Sequence, residues 1–289
     1  MKCLICNAPS RHIFSKKALY KYDCSYRICD SCGFLFVAEP HWLDEAYSEA
    51  LMGIRDTGMI QRNLELSSLL ENLLSSHLGP GGACVDYGAG TGMLVRLMRD
   101  KGFDFRYYDP IARNIFARGF EAEAVHAAGY RLLTAIEVLE HTTNPLDEIN
   151  KMLSFSATLF FTTQLRPPGI NIENWSYLLP ESGQHISLFS LATLELIAAE
   201  LGLKLITDGV SIHILTRNHA STLDPALFSH PTSLAAKSAR FLRRRLEGLA
   251  YGYPRSSRAS LIEPDRQHVE AMLGSSHGAT GISEPGIEE

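Results

Sequence analysis

No run of about 18 to 20 consecutive apolar residues occurs in this 289-residue chain, so a membrane-spanning helix is not expected. The N-terminus, Met1-Lys2-Cys3-Leu4-Ile5-Cys6, lacks the apolar stretch of a secretion signal, and the expectation is a cytoplasmic protein. There is no excess of basic residues: 27 Lys and Arg stand against 32 Asp and Glu, a net charge of −5, so the whole chain offers no electrostatic reason to bind nucleic acid. Cysteine almost vanishes after Cys32, with only Cys84 beyond it, which reads as a small buried strand residue. No clear strand lies between Asp109 and Leu132. At 45% hydrophobic and 20% charged residues, the chain is nonetheless long enough to bury one large core with appendages.

The most informative segment is Ala83-Cys84-Val85-Asp86-Tyr87-Gly88-Ala89-Gly90-Thr91-Gly92, which reads as a strand, a glycine turn and a helix start. Without Cβ atoms, Gly88, Gly90 and Gly92 let the turn take positive φ and bring backbone against a ligand. Leu94, Leu97 and Met98 recur at helical spacing from Met93 to Lys101, and Gly102 ends the helix. A second strand, Phe103 to Tyr108, stops at Asp109-Pro110. In an open α/β sheet, ligands bind beyond the carboxyl ends of the strands, where Gly90 and Asp109 would converge with Asp109 on a ribose. A tight turn before an ordinary helix is the alternative. Asp86, just ahead of the glycines, would repel a pyrophosphate but suits a sulfonium amino acid.

On these residues the chain resembles class I S-adenosylmethionine-dependent methyltransferases, whose first motif is similar to Val85-Asp86-Tyr87-Gly88-Ala89-Gly90-Thr91-Gly92. Leu132 to His141, ending in Glu137-x-x-Glu140-His141 and followed by Asn144-Pro145-Leu146, resembles the fourth-strand motif of the branch that includes ubiquinone-pathway O-methyltransferases. The resemblance spans about residues 40 to 217 and implies a Rossmann-like α/β sheet with S-adenosyl-L-methionine as cofactor. Asp86, Gly88, Ala89, Gly90, Gly92, Asp109 and Glu137 are the expected cofactor residues. Further elements read as a helix from Leu146 to Leu153, a strand from Ala157 to Thr163, a helix from Leu191 to Leu201, and an antiparallel pair around Asp208-Gly209.

Cys3-x-x-Cys6 and Cys29-x-x-Cys32 are separated by 22 residues, slightly more than the spacer of about 15 to 20 usual in paired zinc-binding motifs. Four thiolates suit a closed tetrahedral zinc site, so residues 1–40 read as a zinc-ribbon-like module; unliganded thiols or a redox pair are the alternatives. Residues 41–82 read as a helical connector and lid: a leucine stripe (Leu66, Leu69, Leu70, Leu73, Leu74) packs as core, while Trp42 to Tyr47 and Asp56 to Gly58 mix aromatic and polar groups. Residues 83–217 form the catalytic core. From 218 to 289, Ser, Gly, Pro and Glu dominate after a short basic run, Arg240 to Leu246, and suggest partial disorder.

A hydroxyl acceptor must lose a proton, and His185 and His141 are the candidate bases, although either could be a histidine satisfied by a backbone carbonyl. If Glu137, Glu140 and His141 share one helical turn, they and His185 make a plausible divalent-metal set, similar to that of small-RNA 2′-O-methyltransferases. Trp175, Tyr177 and Glu140 are expected at the acceptor, the two rings offering flat faces to a sugar or aromatic group, or else plugging the sheet. Three functions stay open. The first is methyl transfer to a small molecule or glycan. The second is RNA modification, for which six basic against three acidic residues in 1–40 give mild support. The third is a noncatalytic cofactor-binding adaptor.

Overall fold

The computed structural model describes residues 1–47, 58–78, 81–122, 129–218 and seven isolated positions from 223 to 268. Asp56, Thr57 and Arg240 to Leu246 lie outside the described residues. Strands β1 (Ser10–Ala18), β2 (Tyr22–Cys29) and β3 (Leu35–Ala38) form an antiparallel meander that begins after the first cysteine pair. A one-turn helix, α1 (Leu43–Ala46), and a long helix, α2 (Met59–Ser76), lead into the α/β part. The expected leucine stripe buries Leu66, Leu70, Leu73 and Leu74.

The α/β part follows as β4 (Cys84–Tyr87), α3 (Met93–Asp100), β5 (Phe105–Tyr108), β6 (Leu132–Ile136), α4 (Pro145–Phe155), β7 (Thr158–Thr162), β8 (Ser187–Leu188), α5 (Leu191–Glu200), β9 (Lys204–Thr207) and β10 (Ile212–Thr216). Its sheet runs β5-β4-β6-β7-β10-β9, with the first four strands parallel and β10 antiparallel to both neighbours. This is the expected Rossmann-like order. Caps set the helix starts: Pro145 follows Asn144 at the head of α4, and Ser190 and Thr193 form a reciprocal capping box on α5. The β9–β10 turn is closed by Asp208, whose Oδ1 accepts the N–H groups of Val210, Ser211 and Ile212. Among the described residues no helix is long and apolar enough to cross a membrane.

Between Asp109 and Leu132, where the sequence shows no clear strand, the described residues hold a parallel bridge of Tyr107 with Glu121. Two features depart from the sequence reading. Strand β8, just ahead of α5, stands outside the large sheet and pairs with β3, so the small sheet is β1-β2-β3-β8 and crosses the expected boundary at residue 40. Finally, the loose packing suggested after Asn218 does not hold at Asp265, which is 5% exposed and bound by Arg99 through two bonds of 2.8 Å. Arg99 also lies 3.9 Å above the Phe120 ring.

Candidate active site

Strands β4, β5 and β6 are parallel neighbours, so Gly88, Asp109 and Glu137 emerge at one edge of the sheet. Gly88, Gly90 and Gly92 all have positive φ, and Gly92 caps α3 in the left-handed region. A Cβ on Gly90 would meet nothing within 4 Å, which leaves its backbone face open to a ligand. The Gly90 N–H donates to Asp109 Oδ2 at 2.9 Å, while Asp109 Oδ1 accepts from Ile111 and Ala112. A carboxylate has about four acceptor sites, so Asp109 keeps capacity for ribose hydroxyls. The Gly88 and Ala89 N–H groups donate to the Tyr108 carbonyl, fixing the turn to the end of β5. The Tyr107 hydroxyl adds a tie that sequence reading missed, lying 3.0 Å from the Gly90 carbonyl and 2.7 Å from that of Ala112. Alternate burial of Phe105 and Tyr107 along β5 was the available signal.

Asp86 is 3% exposed and accepts from Thr134 Oγ1 at 2.6 Å. Burial pushes its carboxyl up to about 7, against the pull of Thr134, so near neutrality it is poised to take or give a proton. A cationic ligand group nearby would favour the charged form.

The neighbouring loop carries the second half of the site. A Cβ on Gly88 would sit 2.6 Å from Val138 Cγ2, so the glycine turn and the Glu137–His141 loop are in direct contact. Glu137 has φ of +54, a strained left-handed conformation for a non-glycine residue. Its side chain is held from both sides: Thr162 Oγ1 donates to Oε1 at 2.7 Å, and the Tyr177 hydroxyl lies 2.9 Å from Oε2. The same hydroxyl lies 2.6 Å from Glu140 Oε1. One phenolic proton can serve only one of two carboxylates. Complete burial and then the facing Glu137 push the Glu140 carboxyl well above the usual range.

His185 is 8% exposed, with Nδ1 2.7 Å from the Tyr177 carbonyl. A carbonyl only accepts, so Nδ1 carries the hydrogen and Nε2 keeps its lone pair. Burial lowers the pKa of His185. His141, its ring 5.1 Å away, is pushed down to about 3 by burial and then by His185. Both imidazoles are therefore neutral at pH 7.

Two expectations are corrected here. Glu137, Glu140 and His141 do not share a helical face, because only Leu139–His141 is helical, as one 3-10 turn, and Glu137 precedes it in the left-handed region. The groups that converge are Glu140, His141 and His185, with possible ligand atoms within 4.8 Å of one another. Trp175 does not present a ring face: it is 4% exposed and packs with Trp42, Leu178, Ile186 and Leu188 in the core of the small sheet. Tyr177 does reach the site, through its hydroxyl.

A family model described as a methyltransferase domain matches residues 60–208, a span that holds the glycine turn, Asp109 and the Glu137–His185 cluster. The chain belongs to this methyltransferase-domain family. No curated protein matches it in sequence. Among solved structures, the methyltransferase domain is similar to TnmH (15% identity, TM-score 0.44, covering 62% of each chain). It is also similar to an O-methyltransferase family protein from Burkholderia thailandensis (12%, 0.41, covering 60% of this chain and 63% of that one). A third is magnesium protoporphyrin IX methyltransferase from Synechocystis with bound S-adenosylhomocysteine (16%, 0.36, 61% and 91%). The chain thus spans less than two thirds of the first two.

Beside the methyltransferase domain, the four cysteines converge as expected. Cys3 and Cys32 sulfurs are 3.6 Å apart, those of Cys6 and Cys29 3.4 Å, and all four lie within 4.8 Å of one another. Metal–sulfur bonds of about 2.3 Å in a tetrahedron place the sulfurs roughly 3.8 Å apart, and the Cys3–Cys32 and Cys6–Cys29 pairs lie within a few tenths of an ångström of that spacing. The shared Cys3–Cys32 hydrogen bond lowers the pKa of the Cys3 thiol and raises that of Cys32.

Proposed function

We propose that this protein transfers a methyl group from S-adenosyl-L-methionine to a hydroxyl of a small molecule or sugar. The observation that carries this reading is the contact of two half-sites at one sheet edge: Gly90 and Asp109 on one side, His185 and the Tyr177-bridged carboxylates on the other, touching through Gly88 and Val138. Asp109 would take the ribose hydroxyls, the Gly88–Gly92 backbone and Ala89 the amino acid portion, and Asp86 its ammonium. S-adenosyl-L-methionine supplies an electrophilic methyl group when bound. His185 would accept the acceptor's proton at Nε2, while Tyr177 and the Glu137/Glu140 pair keep the ring oriented through the Tyr177 carbonyl. Alignment of acceptor, methyl and sulfur contributes as much as about 7 to 11 kcal/mol to such a displacement.

A base this deeply buried suits a compact acceptor better than a polynucleotide. We further propose that Cys3, Cys6, Cys29 and Cys32 hold a structural zinc ion. One observation favours a second reading of the base: Glu140 Oε2 is buried without a hydrogen-bond partner, so Glu140, His141 and His185 could hold a divalent ion that activates the acceptor oxygen instead.

Isothermal titration with S-adenosylhomocysteine on wild type and Asp109→Ala tests the cofactor site. It is followed by a labelled-methyl screen of phenols, nucleotide sugars, glycans and RNA, with and without added Mn2+. Binding that is lost in the variant, followed by transfer to a small hydroxyl compound, supports the proposal. Binding without transfer to any class favours a scaffold, transfer to RNA alone overturns the acceptor assignment, and strict Mn2+ dependence selects the metal reading.

A further inference from the structure

His185 sits on a segment clamped between the cysteine module and the methyltransferase domain. On the module side, the Gly183 carbonyl accepts the Trp42 indole N–H at 2.9 Å, and the Ile186 carbonyl accepts the Val37 N–H at 2.9 Å. Ser187 and Leu188 pair with Phe36 and Leu35. On the other side, the Ile186 N–H donates to the Glu140 carbonyl at 2.9 Å and the Ser187 hydroxyl to the Thr142 carbonyl at 2.7 Å. The strand itself is two residues long, far below what holds without neighbours.

The clamp is fastened at the second cysteine turn. The Cys29 N–H donates to the Phe34 carbonyl and the Gly33 N–H to the Cys29 carbonyl, folding the chain from the thiolates directly into β3. The Cys32 carbonyl accepts the Thr193 hydroxyl at 2.9 Å, with Ser190 Oγ at 3.2 Å, so the turn also holds the start of α5. Gly33 has φ of +76, and a Cβ there would come within 2.5 Å of Ser190 Oγ and 3.3 Å of the Arg166 guanidinium. Arg166, partly buried and without an ion pair among the described residues, is the cation beside a site where four thiolates around a dication carry a net charge of −2.

We propose that the ion held by Cys3, Cys6, Cys29 and Cys32 positions His185: it fixes the Cys29–Gly33 turn, the turn fixes β3 and the head of α5, and these fix β8 with the histidine ahead of it. The inference rests on the reading of the cysteines as a metal site and of His185 as the base. Metal binding to such a module supplies its folding free energy, so loss of the ion releases β3. Cofactor binding, built on β4, β5 and α3, stays intact.

The test is hydrogen exchange by mass spectrometry on the full chain, before and after zinc is stripped with a chelator, with S-adenosylhomocysteine titrations in parallel. Stripping should raise exchange in residues 183–190 about tenfold or more, a local opening, while α3 and the affinity for S-adenosylhomocysteine change less than about twofold. In 15N-histidine spectra the His185 Nδ1–H signal should broaden. Val37→Pro, which deletes the N–H given to Ile186, should produce the same local opening with the ion retained. Cysteines that hold no ion, unchanged exchange in 183–190 after stripping, or α3 loosening in step with 183–190 would each overturn the proposal. If S-adenosylhomocysteine fails to bind the wild type, the methyltransferase reading falls, while the exchange data still decide the coupling.

Discussion

The Gly90 N–H donates to Asp109 Oδ2 at 2.9 Å, tying the glycine turn after β4 to the end of β5 before any ligand arrives. The bond means that the carboxylate shapes the turn as well as serving as the proposed ribose acceptor. Asp109→Ala is expected to weaken S-adenosylhomocysteine binding by about 10- to 100-fold, the range for hydrogen bonds to a charged group. Asp109→Asn should fall between, and calorimetric Kd values of the three proteins decide it; equal affinities would remove Asp109 from the site.

Gly88 and Gly90 separate two roles of glycine. Gly88→Ala would place a methyl 2.6 Å from Val138 Cγ2 at φ of +68, and should destabilise the fold by about 1–3 kcal/mol. Val138→Ala should relieve part of that cost, which a double-mutant cycle in chemical denaturation would measure. Gly90→Val meets no side chain but forces a β-branched residue to φ of +56, so it should cost about 1–3 kcal/mol through backbone strain alone and lose cofactor affinity as well.

Asp86 predicts a pH dependence with a definite sign. Its folded pKa, about 7, lies above the usual 3.8, so its contribution to stability is fully present below 3.8 and lost as pH rises through about 7. The ligand-free protein should lose this increment between about pH 4 and 7, and Asp86→Asn should flatten the difference. A cationic ligand group drives the carboxyl to its charged form, so cofactor binding near pH 6 should release up to about one proton. Titrations in buffers of different ionisation enthalpy would show it, and no buffer dependence would place the ammonium elsewhere.

The Asp265 carboxylate is the sole anion with two bonds to the buried Arg99 guanidinium among the described residues. Asp265→Ala leaves that cation buried with only Asp104 beside it, and should cost about 3–5 kcal/mol in chemical denaturation. A change below about 0.5 kcal/mol would mean that the C-terminal contact is a surface pair.

His213, buried between Thr207 and the Thr163 carbonyl, predicts the opposite acid behaviour to Asp86. Burial lowers its folded pKa to about 4, so its contribution is present above the unfolded value of 6.5 and lost as pH falls toward 4. His213→Gln should make the protein less sensitive to acid over that window, read from midpoints of urea unfolding at pH 7 and 4.5.

Much of the chain is determined locally, and those parts were legible in the sequence. The Gly88–Gly92 turn, α3 and its Gly102 end, the Asp208-Gly209 turn and the pairing of the cysteines all follow from φ preferences, apolar period and ligand spacing, which act over a few residues. Tertiary structure alone decided which distant segments meet. Nothing in Ser187-Leu188 says that its partner is Leu35-Phe36, because a two-residue strand carries no period and its partner is set by what remains unpaired on β3. The left-handed turn at Glu137 likewise overrode the helical spacing of Glu137, Glu140 and His141, since Thr162 and Tyr177 hold the carboxylate where a helix would not put it. Trp175 was open to either reading by residue type, and the neighbours that close over it, Trp42 and Ile186, lie far from each other in the sequence. Sequence placed the reactive groups; long-range packing chose which of them face one another.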